Sequence, residues 1–306
     1  MKILVVATGD IALPLWDWLV RQDVSILGLV TQPDKPQGRK MVMTPPTIKL
    51  RAIAAGIRVF QPESLRKKKV IDELVMLEPD LIVVMAYGQM LPMRFIESGR
   101  LGCVNLHASL LPKYRGAACI PAAIWNGDDV TGVTLMHVVK EMDAGDIITQ
   151  ISIPISPTDT GGSLHDALAQ LAPRVLADAI QDLAAGTAKR FPQDPHLVSH
   201  VGKLNRDHGR IDWRKPAIEI ERLLRAMDPW PSTFTQCANG QRIKIFPAQN
   251  LISGNLPAGE TMILDDQFCV GTGRDLLVIG DVQPEGGKRM PAIAFARGLR
   301  DSCGFV

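Results

Sequence analysis

The first part of the chain alternates short apolar runs with amphipathic stretches, and this order restricts the fold more than any other feature. Apolar runs lie at 2–7, 25–31 and 80–88, and residues 65–77 between them have helical spacing. Strands of a buried parallel sheet are apolar throughout, and each needs a crossover connection to reach the next. We therefore expect the α/β class, with a doubly wound, mainly parallel sheet.

Three further strands and one long helix are expected before the pattern changes. Apolar residues cluster at 101–107, 132–138 and 146–155, each over a length that suits a strand. Residues 163–186 have apolar positions at helical spacing and end in a glycine, which often terminates a helix. We expect the strands at 101–107 and 132–138 to end at the same edge of the sheet, as parallel strands do.

The second part of the chain has a different pattern. Residues 187–209 are polar and interrupted by prolines, as interdomain linkers often are. After one short helix near 215–227, short strands alternate with Asn-Gly, Asp-Asp and Gly-Gly turns. We therefore expect a first domain over 1–188, a linker over 189–208 and a small, OB-like C-terminal β-barrel over 209–306.

Charge and cysteine content limit the class of protein. A formal net charge of +2 over 306 residues requires no nucleic-acid partner, although the residues from 189 onwards are mildly basic and allow one. The 5 cysteines have no CxxC spacing, so they predict reduced thiols, a cytoplasmic location and no zinc site. The first apolar run ends at Gly9 and is too short for a membrane span.

The turn after the first strand limits the cofactors that the sheet can bind. VVATGDIALP has a single glycine, Gly9, where a dinucleotide-binding turn has the pattern G-x-G-x-x-G. A tight strand-to-helix turn explains Gly9 without a nucleotide. The turn still lies at the carboxyl end of a strand, where open α/β sheets usually bind their ligands.

Two polar residues, Asn105 and His107, end the expected strand LGCVNLH. Residues two apart on a strand share a face, so both side chains point to the same side at its carboxyl end. A buried polar side chain without a partner costs about 1–3 kcal/mol, so each needs a hydrogen bond or a function. Position alone leaves a catalytic role and a structural role open.

Two aspartates, Asp143 and Asp146, follow the next strand in the glycine-containing loop EMDAGDI. A carboxylate there would orient the imidazole of His107, and the amide of Asn105 would donate to a developing oxyanion. Ser109 lacks the G-x-S-x-G turn of an activated serine, so the substrate would supply the nucleophile. Four other histidines lack the partners that a metal site needs.

These two motifs together resemble a known family. NLHASLLPKYRG, at 105–116, and GVTLMHVVKEMDAGDI, at 132–147, are similar to the signature of the 10-formyltetrahydrofolate-dependent formyltransferases. The resemblance implies a Rossmann-like formyltransferase domain in which Asn105, His107 and Asp143 are catalytic. It also implies that 10-formyltetrahydrofolate is the cosubstrate and that no metal takes part.

Further segments resemble the members of that family that formylate methionyl-tRNA. TQPDKPQGRK resembles their inserted loop, which implies tRNA binding by Arg39 and Lys40. RIDW, RAMDPWP and GGKRM resemble pieces of their C-terminal domain, and VVMAYGQMLP resembles a folate-binding segment. The folate-binding residues that the resemblance implies are Ser109, Leu110, Leu111, Pro112, Tyr87, Gly88, Gln89, Met90 and Leu91.

The implied activity is transfer of the formyl group of 10-formyltetrahydrofolate to the α-amino group of initiator methionyl-tRNA, for translation initiation. The implied partners are this tRNA, bound in part by the C-terminal domain, and the folate; a monomer without membrane contact is expected. Three alternatives remain: a formyltransferase for an amino sugar nucleotide, a hydrolase that releases formate, and a catalytically silent tRNA- or folate-binding homologue. The set of Asn105, His107 and Asp143 favours an enzyme over the silent homologue.

Overall fold

The chain separates into two compact units in the computed structural model, which describes residues 1–38, 40–248, 250–298 and 304–306. The first unit consists of Met1–Gly116, Thr131–Ile153 and His165–His200. The second unit consists of Ala117–Val130, Pro154–Leu164 and Val201–Val306. Each unit gathers segments that are distant in the sequence, and the domain boundaries expected at residues 188 and 208 stay a prediction.

The first two thirds of the chain contain most of the helices and the strands of the large sheet. The strands are β1 (Lys2–Ala7), β2 (Ser25–Val30), β3 (Lys35–Gln37), β4 (Val42–Thr44), β5 (Val59–Phe60), β6 (Leu81–Met85), β7 (Cys103–His107), β8 (Arg115–Gly116), β9 (Val130–His137), β10 (Ile147–Pro154) and β11 (His200–Val201). The helices are α1 (Leu13–Leu19), α2 (Thr47–Ala54), α3 (Lys68–Val75), α4 (Met93–Ile96), α5 (Cys119–Asn126) and α6 (Gly161–Ala185). The strands and helices expected from apolar spacing are present, whereas the hairpin β3-β4 was not predicted.

Among the described residues, seven strands form the large sheet, in the order β10-β9-β7-β6-β1-β2-β5. The five from β7 to β5 pair in parallel, which confirms the mainly parallel sheet. β9 is antiparallel to β7, with Val104 opposite His137 and His107 opposite Thr134. The expectation that β7 and β9 end at the same edge is therefore wrong, since an apolar run does not reveal the direction of a strand.

One face of the parallel strands is buried in an apolar cluster with α3 and α4. The buried members of this cluster are Leu4, Val6, Val30, Phe60, Leu65, Ile71, Leu74, Ile82, Val84, Tyr87, Phe95, Ile96 and Cys103. Full burial of a Val, Leu, Ile or Phe side chain gains about 1.5–3 kcal/mol. The cluster therefore fixes β1, β6 and β7, whose carboxyl ends carry the candidate site.

The turn after β1 has a glycine because two strand ends approach each other closely. Gly9 has a φ of −69°, which any residue can adopt. A Cβ on Gly9 would lie 3.2 Å from Ala86 Cβ, at the end of β6, and Gly9 N donates to Ala86 O at 3.2 Å. Close packing thus explains Gly9 without a nucleotide, in agreement with the tight turn that the sequence predicts.

The C-terminal part of the second unit consists mainly of antiparallel strands. These are β12 (Thr233–Gln236), β13 (Arg242–Ile245), β14 (Asn250–Ile252), β15 (Thr261–Leu264), β16 (Gln267–Gly271), β17 (Leu276–Ile279), β18 (Asp281–Pro284) and β19 (Met290–Pro291), with helices α7 (Ala217–Ala226) and α8 (Ala292–Arg297). They form two sheets, β12-β13-β18-β19 and β14-β17-β16-β15. Within the described residues the strand pairs of these sheets are antiparallel, which is consistent with the predicted small barrel.

Candidate active site

Strand β7 brings Asn105 and His107 to the carboxyl edge of the parallel strands. It pairs with β6 on one side and with β9 on the other, so its register is fixed from both sides. Because side chains alternate along a strand, Cys103, Asn105 and His107 share one face. Cys103 is buried in the apolar cluster, and the two polar residues continue the same face to the sheet edge.

The ring of His107 lies between two protein groups and is only 7% exposed. Its Nε2 lies 2.9 Å from Tyr114 O. A carbonyl oxygen can only accept, so Nε2 carries the proton and donates. Nδ1 lies 3.7 Å from Asp143 Oδ2, which is beyond hydrogen-bond distance. In the neutral ring, the lone pair is therefore on the nitrogen that faces the Asp143 carboxylate.

Asp143 reaches His107 through the loop between β9 and β10, although β9 itself ends at the opposite edge of the sheet. Its Oδ2 accepts from Gly116 N at 2.8 Å. Its φ of 52° lies in the left-handed region, where residues other than glycine are uncommon. The other candidate, Asp146, faces a different residue: its Oδ2 lies 3.9 Å from Nη1 of Arg190. The structure thus brings His107 together with Asp143, while the catalytic role stays a prediction.

The Asn105 side chain is partly buried, and within the described part of the chain no hydrogen bond is assigned to it. Its backbone pairs in register with Val84 on one side and Met136 on the other. A carboxamide carries two donor hydrogens. An amide that is fixed by its strand and unused by the fold is suited to donate to a ligand oxygen.

Polar side chains of the two neighbouring strands brace the turn 109–112 that follows β7. Thr134 of β9 donates to Ser109 O at 2.6 Å and accepts from Leu111 N at 3.1 Å. Gln150 of β10 donates to Leu111 O at 2.9 Å and to Thr134 Oγ1 at 2.8 Å. Thr134 is completely buried, so its bonds to Ser109 O and Leu111 N are shielded from water, whereas Gln150 bonds to the turn from the exposed side. The turn is therefore held in one shape without a ligand.

The four residues of this turn differ in accessibility. Ser109 is completely buried, and its hydroxyl donates to Lys113 O at 2.7 Å. Leu111 is also buried, whereas Leu110 and Pro112 are partly exposed. Side-chain contacts with a folate would therefore come from Leu110 and Pro112, while Ser109 shapes the turn from inside.

The second expected folate segment begins at Tyr87, directly after β6. The ring of Tyr87 belongs to the apolar cluster and is 2% exposed. Among the described residues its hydroxyl has no partner, and burial raises its pKa to about 12. Tyr87 O accepts from Gln32 Nε2 at 2.6 Å. A folate contact from Tyr87 would thus come from its backbone, since its ring is in the core.

The rest of this segment is more accessible. Gly88 is exposed and has a φ of 81°, in the left-handed region that favours glycine. Met90 is 57% exposed. Gln89 bonds back to the protein through Leu65 N and Glu63 O, both at 3.4 Å, and Leu91 packs against the apolar cluster. Gly88 and Met90 therefore form the open surface next to the end of β7.

The expected tRNA contacts belong to the hairpin β3-β4. The two strands are antiparallel, and Lys40 is exposed in the turn between them. Arg39 lies outside the described residues. Met41 and Val42, which follow Lys40, are 67% and 59% exposed. Among its described residues the hairpin therefore presents two basic side chains, Lys35 and Lys40, and three apolar ones, Met41, Val42 and Met43, to solvent.

Sequence patterns missed the residues that support this site from behind. Thr134 and Gln150 hold the turn 109–112, and Gln193 donates to Asp143 O and to Gly145 O, both at 2.8 Å. A polar residue within an apolar run is a weak signal that could have marked Thr134. No pattern marks Gln193, which lies in the segment expected to be a linker.

His137, at the end of β9, is distant from the candidate site along the strand pair. It is 7% exposed, and among the described residues its Nε2 has no partner. Burial lowers the pKa of His137, and the nearby Arg190 lowers it further, whereas Asp146 opposes both effects. The folded protein therefore favours the neutral ring of His137.

The part of the chain that the structure describes lacks two features. It has no helix that combines the length and the apolar character needed to span a bilayer. It also has no group of three or more His, Cys, Asp or Glu side chains arranged to hold a metal ion.

Comparison with protein families identifies the family to which this chain belongs. Residues 1–180 match the family described as formyl transferase. The chain belongs to the formyl transferase family. Residues 203–300 match the associated family described as formyl transferase, C-terminal domain. Both the α/β part and the antiparallel part of this formyl transferase are thus accounted for.

Relatives of this formyl transferase match it over nearly its whole length. A protein of Akkermansia muciniphila named methionyl-tRNA formyltransferase is 47% identical over 95% of this chain and 94% of its own. A protein of Bacillus subtilis with the same name is 35% identical over 100% of this chain and 97% of its own.

Solved structures share the fold at lower identity. The N-formyltransferase from Helicobacter canadensis, in complex with folinic acid and dTDP-3-aminofucose, has a TM-score of 0.67 and 18% identity, over 95% of this chain and 100% of its own. HypX from Aquifex aeolicus, in complex with tetrahydrofolic acid, has a TM-score of 0.65 and 18% identity, over 98% of this chain. This chain spans about half of HypX, 48%. Identities this low support the shared fold alone.

Proposed function

We propose that this formyl transferase moves the formyl group of 10-formyltetrahydrofolate to the α-amino group of the methionine on initiator tRNA. The observation that carries the proposal is an unused amide, Asn105, two positions before His107, whose Nδ1 faces the Asp143 carboxylate at 3.7 Å. Relatives named methionyl-tRNA formyltransferase, 47% and 35% identical, support methionyl-tRNA as the acceptor.

The transfer forms one bond to the formyl carbon and breaks another. The neutral amine attacks this carbon, and the formyl oxygen becomes an oxyanion. The bond to N10 of the folate then breaks, and the proton lost by the amine goes to N10. Hydrogen-bond donors for the oxyanion and a relay for the proton are two ways in which protein groups speed such a reaction.

Asn105 is proposed as the donor to the oxyanion. Its amide has no competing partner assigned within the described residues, so it needs no rearrangement before it donates. A donor that is already oriented stabilises charge that develops only in the transition state.

His107 is proposed as the proton relay. Its Nε2–H donates to Tyr114 O, which leaves the lone pair on Nδ1 to accept the proton of the attacking amine. The resulting imidazolium faces the Asp143 carboxylate, whose negative charge stabilises it. The positive ring also favours an adjacent oxyanion. Asp143 would thus act on the reaction mainly through His107.

The folate would lie along the carboxyl edge, against the turn 109–112 and the segment 87–91. The partly exposed Leu110 and Pro112 and the exposed Gly88 and Met90 offer it apolar side chains and open backbone. Such a mixture is usual in pockets for flat organic ligands. The buried residues of both segments, including Ser109 and Tyr87, would shape the pocket from behind.

The tRNA would contact Arg39, Lys40 and the C-terminal antiparallel domain. The outer face of β12 and β13 carries Lys244, which is opposite Phe234, and the guanidinium of Arg242 lies 3.4 Å from the centroid of the Phe234 ring. Basic side chains of this kind bind phosphates without reading sequence.

Changing both Arg242 and Lys244 to Ala should weaken tRNA binding and flatten its dependence on salt concentration. If the salt dependence of tRNA binding is unchanged, the proposed contact of the tRNA with β13 is contradicted.

The remaining features of the proposal concern organisation. We propose a catalytic domain at 1–188, a linker at 189–208 whose residues 191–199 are hydrogen-bonded to the first unit, and a tRNA-binding domain at 209–306, close to the family matches at 1–180 and 203–300. A cytoplasmic monomer is proposed, as translation enzymes act on soluble tRNA. Sedimentation of the purified chain as a dimer at assay concentrations would contradict the monomer.

One assay tests the function. Purified protein and 10-formyltetrahydrofolate are offered in turn charged initiator tRNA, an amino sugar nucleotide, and no acceptor. We expect formylated methionyl-tRNA in the first tube only. Turnover with the sugar nucleotide instead identifies a sugar formyltransferase, and formate release without acceptor identifies a hydrolase. An absence of turnover in all three tubes contradicts an enzyme of this class.

A further inference from the structure

The segment 191–199 is bonded to both sides of the candidate site, although its sequence is typical of a linker. Phe191 and Ile147 exchange two backbone hydrogen bonds at 2.9 Å, which anchor the start of the segment beside β10. Near its end, Ser199 N donates to Pro112 O at 3.4 Å. Both anchoring points lie within the first unit. The segment therefore packs along the candidate site and does not extend away from the first unit as a linker would.

Gln193 joins the two segments that face the His107 ring. Its Nε2 donates to Asp143 O and to Gly145 O, both at 2.8 Å. Its Oε1 accepts from Arg115 Nε at 3.0 Å and from Arg115 Nη2 at 2.8 Å. All four bonds of this one carboxamide thus link the loop after β9 to the residue that follows Tyr114.

Ser199 holds the second of these segments. Its Oγ accepts from Tyr114 N at 2.9 Å, and its carbonyl accepts from Arg115 N at 2.8 Å. Tyr114 is the residue whose carbonyl accepts from His107 Nε2. The position of that carbonyl therefore depends on Ser199.

Backbone strain explains why these bonds are needed. Asp143 has a φ of 52° and Tyr114 a φ of 62°, and both side chains are unfavourable in the left-handed region. Such a conformation costs about 1–3 kcal/mol and persists only where neighbours enforce it. These two strained residues are also the two that face the nitrogens of His107. The segment 191–199 bonds to both of them.

We infer that the segment 191–199 is a positioning element of the active site, in which Gln193 holds Asp143 against Nδ1 of His107 while Ser199 holds the Tyr114 carbonyl against Nε2. Gln193 touches no reacting atom and acts through Asp143. The kinetic consequence of this inference rests on the proposed function, whereas its structural consequence does not.

The test compares Gln193→Ala and Gln193→Glu with Leu197→Ala, a control in the same segment whose side chain is 59% exposed. Alanine removes all four bonds. Glutamate keeps the acceptor for Arg115 but turns an oxygen towards the carbonyls of Asp143 and Gly145, so it probes the loop side alone. Because it keeps both hydrogen bonds from Arg115 and adds an ion pair with it, Gln193→Glu also guards against simple failure to fold.

The structural readout needs no substrate. Gly116 N donates to Asp143 Oδ2, so its amide exchange with solvent reports whether Asp143 is held in place. We expect that exchange to accelerate about tenfold or more in both Gln193 variants, and the ring-nitrogen NMR shifts of His107 to move towards a mixture of tautomers. Unchanged Gly116 exchange and unchanged His107 shifts in a folded Gln193→Ala protein overturn the inference.

The kinetic readout separates positioning from general stability. We expect kcat to fall about tenfold to a hundredfold in both Gln193 variants, with KM for each substrate within about threefold, since small displacements of catalytic groups affect the transition state. Leu197→Ala should stay within about twofold of the original kcat. An equal loss in Leu197→Ala, or a loss confined to KM, contradicts positioning. If the unaltered protein transfers no formyl group at all, the proposed function fails while the NMR result still decides the inference.

Discussion

The two halves of the candidate site are held in different ways. The strand half consists of Asn105 and His107 on β7, which is hydrogen-bonded to strands on both sides and buried on the face that contains Cys103. The loop half consists of Asp143, whose bonds to Gly116 and Gln193 are single polar contacts. The strand half thus depends on distributed burial, whereas the loop half depends on a few bonds that one distant substitution can remove.

The strand half should give the largest losses of activity, while the variants keep the fold. Asn105→Ala and His107→Ala each remove a group proposed to act on the transition state, so we expect kcat to fall about a hundredfold or more. The ladder of β7 uses backbone atoms and should remain intact. Single-turnover formyl transfer and urea unfolding measure the two effects. A folded variant with near-original turnover removes that residue from the mechanism.

The loop half should give a smaller loss that depends on charge. Asp143→Asn keeps an acceptor for Gly116 N but loses the carboxylate that stabilises protonated His107, so kcat should fall about tenfold to a hundredfold. Asp146→Asn, in the same loop, is the matched control and should change kcat less than about threefold. Equal losses in the two variants would indicate that the loop, and not the Asp143 charge, matters.

Thr134, which braces the turn 109–112, should affect folate binding more than the rate of formyl transfer. Thr134→Val leaves Ser109 O and Leu111 N without their partner, at a cost of about 1–3 kcal/mol in the free energy of unfolding. We expect KM for the folate to rise several-fold because the turn 109–112 loosens. Thr131→Val alters an equally buried threonine of β9 as the control. If both variants have the original KM, the turn does not bind the folate.

A histidine outside the site should affect only stability, and only in acid. The pKa of His137 is lowered from 6.5 by burial, so the unfolded chain binds a proton that the folded chain resists. Stability is unaffected above pH 6.5 and falls as the pH drops below it. His137→Leu should therefore flatten the pH dependence of urea unfolding between about pH 7.5 and 5.5, while His196→Ala, an exposed control, should not. If the pH dependence of unfolding is the same in His137→Leu as in the original protein, the folded state does not favour the neutral ring of His137.

The sequence predicted the strand half well because burial leaves a pattern. Apolar runs located β1, β6 and β7, and alternation on a strand placed Asn105 and His107 on one face. The direction of β9 was not predictable, since a buried run is equally apolar in either direction. The expected shared edge was wrong, and Asp143 reaches His107 only because its loop returns to it.

The loop half and its support left little trace in the sequence. Gln193 and Ser199 bond mainly to backbone atoms of Asp143, Gly145 and Tyr114, and such bonds require no particular residue at the partner position. A polar segment with prolines therefore resembled a linker. Family resemblance identified Asp143, but only the three-dimensional arrangement reveals which residues hold it in place.

The central claim is that the strand half and the loop half act as one unit on the formyl group. A double-mutant cycle of His107→Ala and Asp143→Asn, measured as single-turnover formyl transfer to methionyl-tRNA, tests it directly. If Asp143 acts through His107, the double variant should lose about as much rate as His107→Ala alone. Losses that multiply, as for two independent residues, would contradict the account.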